Sequence, residues 1–146
     1  MPTRRHHFSA QMTAMHQVIQ CVRDAGVAAG LAEYQVKKLE LVIEELFTNS
    51  ATHAVREKAL AAGTHADDTK LSVWIEAIPC ERGLDIHYED DGPAFDPTDI
   101  EADAAQHALA NARIGGLGRV LITSTPTAIS YRRENGRNHV SLHFGQ

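Results

Sequence analysis

Leu39-Glu40-Leu41-Val42-Ile43-Glu44-Glu45-Leu46-Phe47-Thr48-Asn49-Ser50-Ala51-Thr52-His53-Ala54 is the stretch on which the fold turns. Leu39, Val42, Ile43, Leu46, Ser50 and Ala54 fall at helical spacing and make one core face. Glu45, Asn49 and His53 follow at i, i+4 and i+8. At about 100° per residue their stripe runs along the border of that face, while Glu44 and Thr48 point further out. Solvated charges ordinarily take the outer face, so a carboxylate, a carboxamide and an imidazole at the border ask for a reason. Carboxylate and amide oxygens suit Mg²⁺, and a carboxylate also accepts a hydroxyl proton. The same three residues equally describe a rim charge, a solvated amide and a core-edge histidine, so this helix alone leaves its role open.

On the N-terminal side, Met12, Met15, Ile19 and Val22 have helical spacing, with Ser9 as the expected N-cap and the glycines at 26 and 30 as the expected stop. Met12 and Met15 read as core or as a subunit contact. Arg4-Arg5-His6-His7 reads as a solvated arm, and residues 1–8 as an arm or a short edge strand. The opening stretch belongs to a longer helix from about Glu33 to about Ala62, ended by Gly63.

Beyond the polar loop from Thr64 to Thr69 the period changes. Leu71, Val73, Ile75 and Ala77 alternate with polar residues, and so do Leu84, Ile86 and Tyr88, predicting two strands joined by a turn over Pro79–Gly83. The second strand runs into Glu89-Asp90-Asp91-Gly92-Pro93-Ala94-Phe95-Asp96-Pro97, an abrupt acidic turn. Residues 98–114 predict a weak helix and a mobile flap. Gly115-Gly116-Leu117-Gly118 then precedes an apolar run with helical spacing at Leu117, Val120 and Leu121, closed by Pro126. Glycine backbone approaches a ligand closely, and a helix opening there points N–H groups at an anion; a tight turn explains the glycines equally well. Finally, Asn135-Gly136 between two strand-like runs predicts a hairpin.

The 146 residues suit one domain with a real core, and 43% apolar with 23% charged residues is ordinary globular composition. A net charge of −5 offers no basic footprint for direct nucleic-acid binding. The stretch His6–Val22 is interrupted by Gln11, Thr13, Gln17 and Gln20, so no membrane span is expected. No leader pattern follows the basic cluster, and Cys21 and Cys80 form no ligand pattern. A reduced, cytoplasmic protein with both cysteines packed as small hydrophobes is the expectation. Strands that pair as hairpins under helices confined to one face make a two-layer α+β sandwich on a mixed, mainly antiparallel sheet.

Three patterns stand in order: Glu45-x-x-x-Asn49, Asp90-x-Gly92 and Gly115-Gly116-Leu117-Gly118. Together they resemble the N, G1 and G2 boxes of the GHKL (Bergerat-fold) ATPases. The nearer likeness is to the small bacterial anti-sigma factor serine/threonine kinases. Ile114-Gly-Gly-Leu-Gly and the hairpin Tyr131-Arg-Arg-Glu-Asn-Gly-Arg-Asn138 are similar to that family, and the likeness covers nearly the whole chain from Ser9, with a short ATP lid over about 95–114.

The resemblance implies ATP and Mg²⁺ as cofactors. It makes Glu45 the general base and Asn49 the Mg²⁺ ligand. Asp90 would accept a hydrogen bond from the adenine amino group, and Gly92 would let the backbone pass beside the base. Gly115, Gly116, Leu117 and Gly118 would hold phosphates through backbone N–H groups. His53 would line the site, and Arg113 would meet the γ-phosphate. Ala94 stands where the family pattern ends in glycine, and its Cβ stiffens the turn. Asn138 and His139 are the candidates for a further adenine-holding position. No P-loop pattern competes for the nucleotide.

The implied function is an ATP-dependent protein serine/threonine kinase. It would phosphorylate an anti-sigma-factor antagonist of the STAS type and sequester a sigma factor. The resemblance also implies a homodimer, through the sheet edge or the Met12/Met15 helix. Two alternatives stay open: a non-catalytic nucleotide-binding or sequestering module, which Ala94 would suit, and a detached histidine-kinase catalytic domain, which the short stretch from Phe95 to Gly115 suits less well.

Overall fold

The structure, a computed structural model, describes residues 4–99 and 115–146. Strand β1 (Arg4–Ser9) leads through a 3-10 turn (Met12–Ala14) into helix α1 (Met15–Ala28). Helix α2 (Glu33–Asn49) continues through a π-helical turn (Ser50–Ala54) into α3 (Val55–Ala62). A 3-10 turn (Ala66–Asp68) precedes strands β2 (Ser72–Cys80) and β3 (Gly83–Asp90). Helix α4 (Gly115–Ser124) and the hairpin of β4 (Ala128–Glu134) and β5 (Arg137–Gly145) complete the order.

Among the described residues five strands lie in the order β1-β2-β3-β5-β4, and all four of their pairings are antiparallel, where the sequence allowed a mixed sheet. Strand alternation sorts the residues onto two faces. Val73, Ile75, Leu84, Ile86, Tyr88, Val140, Leu142 and Phe144 are buried against the helices. They meet Val18 and Val22 of α1, Leu39, Val42, Ile43, Leu46 and Phe47 of α2, and Ile122 of α4 in one core. This is the expected two-layer α+β sandwich, with the helical layer on one side of the sheet. Arg23 on α1 pairs with Glu33 (2.9 Å) and Glu40 (3.3 Å) on α2, tying the two central helices.

The hairpin turn forms at Asn135 and Gly136 with φ of 53° and 72°, the left-handed pair a two-residue turn of this kind requires. The long helix spans Glu33 to Ala62 as expected, but it is not α-helical throughout. The π turn widens it directly after Asn49.

Several expectations are corrected. Ser9 is no N-cap: it pairs with Ser72, and Ala10 N–H donates to the Leu71 carbonyl (2.8 Å), so the ladder runs on past it. Residues Arg4–His7 are not a solvated arm but part of the edge strand, where Arg5 forms an ion pair with the buried Glu89. Pro79 and Cys80 belong to β2, leaving only Glu81-Arg82 to turn the chain, because Cys80 pairs directly with Gly83. Cys80 is exposed at that corner rather than packed, while Cys21 is half-buried and its thiol is pushed up by burial. In α4, Ile122 faces the core, and Val120 and Leu121 are exposed. Phe47, unclaimed in the sequence, is among the largest fully buried side chains. Among the described residues no helix is long and apolar enough to cross a membrane. The expected flap and lid lie outside the described residues from 100 to 114, and so does Arg113.

Candidate functional site

The site is built where the end of α2, the end of β3 and the end of the β4–β5 hairpin meet on the helical side of the sheet. Glu45 and Asn49 lie one turn apart on α2, both half-buried. Burial, and secondarily the neighbouring Glu44 carboxylate, push the Glu45 carboxyl above its ordinary value. A carboxyl shifted toward neutrality is suited to take a proton.

His53, inside the π turn that follows Asn49, is exposed, whereas Glu45 and Asn49 are half-buried.

Ser50, the first residue of the π turn, is buried, as its place on the core face predicts. Its hydroxyl donates to Asp90 Oδ2 (2.9 Å) and lies 2.7 Å from the Tyr88 hydroxyl, which must then be the donor of that pair. Burial, followed by the Asp90 charge, raises the Tyr88 pKa well above its ordinary value and keeps that proton in place. Tyr88, Ser50 and Asp90 thus form a directed chain of two hydrogen bonds. On the other oxygen, Asp90 Oδ1 accepts from Gly92 N–H (3.0 Å) and from Asn138 Nδ2 (2.8 Å). Asp90 is only 8% exposed and held by three donors among the described residues. A carboxylate offers about four lone-pair directions, which leaves Oδ2 able to accept one more donor.

Asn138 uses its full capacity. Its amide nitrogen also donates to the Pro93 carbonyl (2.8 Å), and its oxygen accepts from Phe95 N–H (3.1 Å) and from Tyr131 (2.7 Å). Strand parity separates the two adenine-side candidates. Asn138 pairs with Asp90 on the helical face, whereas His139 pairs with Glu89 on the opposite face.

Gly92 is pressed against the helix. A Cβ built there would sit 3.0 Å from Ala54 Cβ and 3.0 Å from Leu71 Cδ1. Arg133 donates to its carbonyl (2.6 Å) and pins the turn from the hairpin side. Ala94, one step past Pro93, is exposed. Gly115, Gly116, Leu117 and Gly118 occupy the first turn of α4, which packs against α2. The first N–H groups of a helix have no partner within it and favour anions.

These residues fit a magnesium nucleotide. Asp90 retains an acceptor for an amino group, Asn49 offers a hard oxygen donor with the Glu45 carboxyl one turn before it, and Mg²⁺ takes few protein ligands beside water and phosphate oxygens. Ser50 and Tyr88 were missed in the sequence as parts of the site. Ser50 reads there as a small core residue and Tyr88 as an alternating strand residue, and only the fold shows that both serve Asp90.

The chain as a whole is similar to known proteins. The chain is 29% identical over 104 residues to the serine/threonine-protein kinase BtrW of Bordetella bronchiseptica, a match covering 71% of this chain and 66% of that kinase, just under two thirds of its length. A solved structure, that of the SiaB-SiaC complex from Pseudomonas aeruginosa, matches with a TM-score of 0.46 and 17% identity over 94% of this chain and 87% of the other. Residues 8–144 match the histidine kinase-like ATPase domain from the edge strand to the last strand, and the chain belongs to that family.

Proposed function

We propose that this chain is an ATP-dependent protein serine/threonine kinase that acts as an anti-sigma regulatory factor. It phosphorylates a STAS-type anti-sigma-factor antagonist and sequesters a sigma factor. The observation that carries the reading is the half-buried Glu45, its carboxyl raised by burial, one helical turn before Asn49. The distant relationship to a protein named a serine/threonine-protein kinase supports it. Phosphoryl transfer needs positioning, charge neutralisation and an oriented nucleophile more than covalent chemistry. In this reading Glu45 takes the proton of the attacking serine hydroxyl, and the Asn49 amide oxygen holds Mg²⁺. Asp90 accepts from the adenine amino group while Ser50, Gly92 and Asn138 keep it in place. The N–H groups of Gly115–Gly118 would face the phosphates, and Arg113 would meet the γ-phosphate. His53, exposed within the π turn, serves the rim rather than the floor. Phosphorylating the antagonist would leave the kinase free to hold its sigma factor, as a homodimer in the cytoplasm.

The direct test is transfer of labelled γ-phosphate from Mg-ATP to serine of a co-encoded STAS protein. Transfer is expected with the wild type, and Glu45→Ala should slow it by about 10²–10⁴-fold, the usual contribution of a positioned general base. Absence of transfer with the wild type, or equal transfer by Glu45→Ala, would sink the kinase assignment. Ala94 favours a second reading, a module that sequesters its partner without catalysis, in which partner affinity would be the same with and without ATP.

A further inference from the structure

The face of the sheet turned away from the helices carries a cluster that the nucleotide site does not use. His87 and Glu89 stand two apart on β3, and His139 lies directly across from Glu89 on β5. His87 Nε2 is 3.1 Å from His139 Nδ1, His139 Nδ1 is 3.1 Å from Glu89 Oε1, and His87 Nε2 is 3.9 Å from that oxygen. A tetrahedral ion with bonds of about 2.0–2.1 Å separates its ligand atoms by about 3.3 Å, close to this triangle.

The remaining atom of each side chain is already held. Glu89 Oε2 accepts from Arg137 (2.8 Å) and Arg5, His139 Nε2 lies 3.3 Å from the Glu134 carbonyl, and His87 Nδ1 lies 3.4 Å from the Ser141 hydroxyl. Metal-binding histidines and carboxylates are ordinarily oriented by such outer partners. Glu89 and His139 are 5% and 9% exposed, and His139 Nδ1 lies 3.1 Å from both Glu89 Oε1 and His87 Nε2, so the three atoms converge on one point at the buried base of the cluster. The His87 side chain is 28% exposed, so water reaches this side of the cluster.

We propose that His87, Glu89 and His139 form a binding site for a divalent transition-metal ion of the zinc type, on the sheet face opposite the nucleotide. Two nitrogens and one carboxylate oxygen are a donor set for such ions rather than for Mg²⁺ or Ca²⁺. The Glu89–His139 rung is next to the Asp90–Asn138 rung, so a bound ion clamps β3 to β5 beside the carboxylate that faces the adenine.

The test is titration of the chelator-treated chain with Zn²⁺, without nucleotide, by competition against a chromophoric chelator, together with the absorption spectrum of the Co²⁺-loaded wild type. One equivalent of tight binding is expected, weakened more than about a hundredfold by His87→Ala. A second trio on the same face, Cys80, Asp85 and His143, serves as control. Cys80→Ser and His143→Ala should leave the binding unchanged, and the Co²⁺ spectrum should show no thiolate charge-transfer band. The spectrum reads the ligands even if a variant folds poorly. Failure of the wild type to bind one equivalent, a thiolate band, or binding lost with Cys80→Ser but kept with His87→Ala would each overturn the assignment.

Discussion

At the scale of single residues, Ser50 and Glu45 show opposite relations to stability. Ser50 is buried, receives the Tyr88 proton and gives its own to Asp90. Ser50→Ala strands the Tyr88 hydroxyl and frees one Asp90 oxygen, which should destabilise the fold by about 1–3 kcal/mol in urea unfolding and weaken nucleotide binding as well. Glu45 works the other way. Its carboxyl is raised above the unfolded value, so the folded chain binds the proton more tightly than the unfolded chain does. Stability must then fall as pH rises from the ordinary glutamate value of about 4.3 through the raised folded value. Glu45→Gln should therefore slightly raise the urea midpoint at neutral pH while slowing transfer by about 10²–10⁴-fold, and the acid limb of the wild-type pH–rate profile should lie above that ordinary value. A midpoint lowered by Glu45→Gln would contradict the burial argument. Glu45 and Asn49 were legible in the sequence because a four-residue step on a helix border is a local pattern. Ser50 was not, because its partners lie 38 and 40 residues away.

Among the elements, the π turn and the Asp90 turn are shaped by each other. Gly92 passes so close to Ala54 and Leu71 that a methyl group there must push the turn off the helix. Gly92→Ala should cost about 1–3 kcal/mol of stability, as overpacking does, and the loss should be read with ATP affinity in the same sample. Across the sheet, His143 bonds Asp85 (2.6 Å), and that bond, with smaller help from the Gln146 carbonyl, raises the histidine pKa. Its stabilisation is full below about 6.5, the unfolded value, and is lost as pH rises through the folded value. His143→Gln should flatten the fall in melting temperature over that window. The Asn135-Gly136 hairpin and the alternating strands were readable because turn chemistry and period-two burial are local. The edge strand was not. Arg4-Arg5-His6-His7 has little apolar content of its own, and what holds it is tertiary: Arg5 reaches the buried Glu89 and lies 5.3 Å from the Trp74 ring, with Arg137 at 4.0 Å from the same ring. The π turn left no sequence mark, since Ser-Ala-Thr-His-Ala continues an α pattern as readily as it widens one.

On the scale of the molecule, one sheet separates two chemistries. The helical side gathers Glu45, Asn49, Asp90 and the first turn of α4 around an apolar core, and the far side carries charged and imidazole groups. That division follows from strand parity: Asp90 and Glu89, one residue apart, must face opposite ways. The sequence showed the two layers and the order of the three boxes, but not which residue of β5 would stand beside Asp90. Asn138 and His139 were indistinguishable until the register was known. The central claim is that the helical side binds a magnesium adenine nucleotide through Asp90, and calorimetry of Mg-ATP and Mg-ADP on the wild type and on Asp90→Asn tests it most directly. Micromolar binding is predicted, weakened about tenfold or more by Asp90→Asn, the equivalent of about 1.5–3 kcal/mol for a hydrogen bond to a charged group. A folded wild type that takes up neither nucleotide, or an Asp90→Asn chain that binds as tightly, would contradict the account.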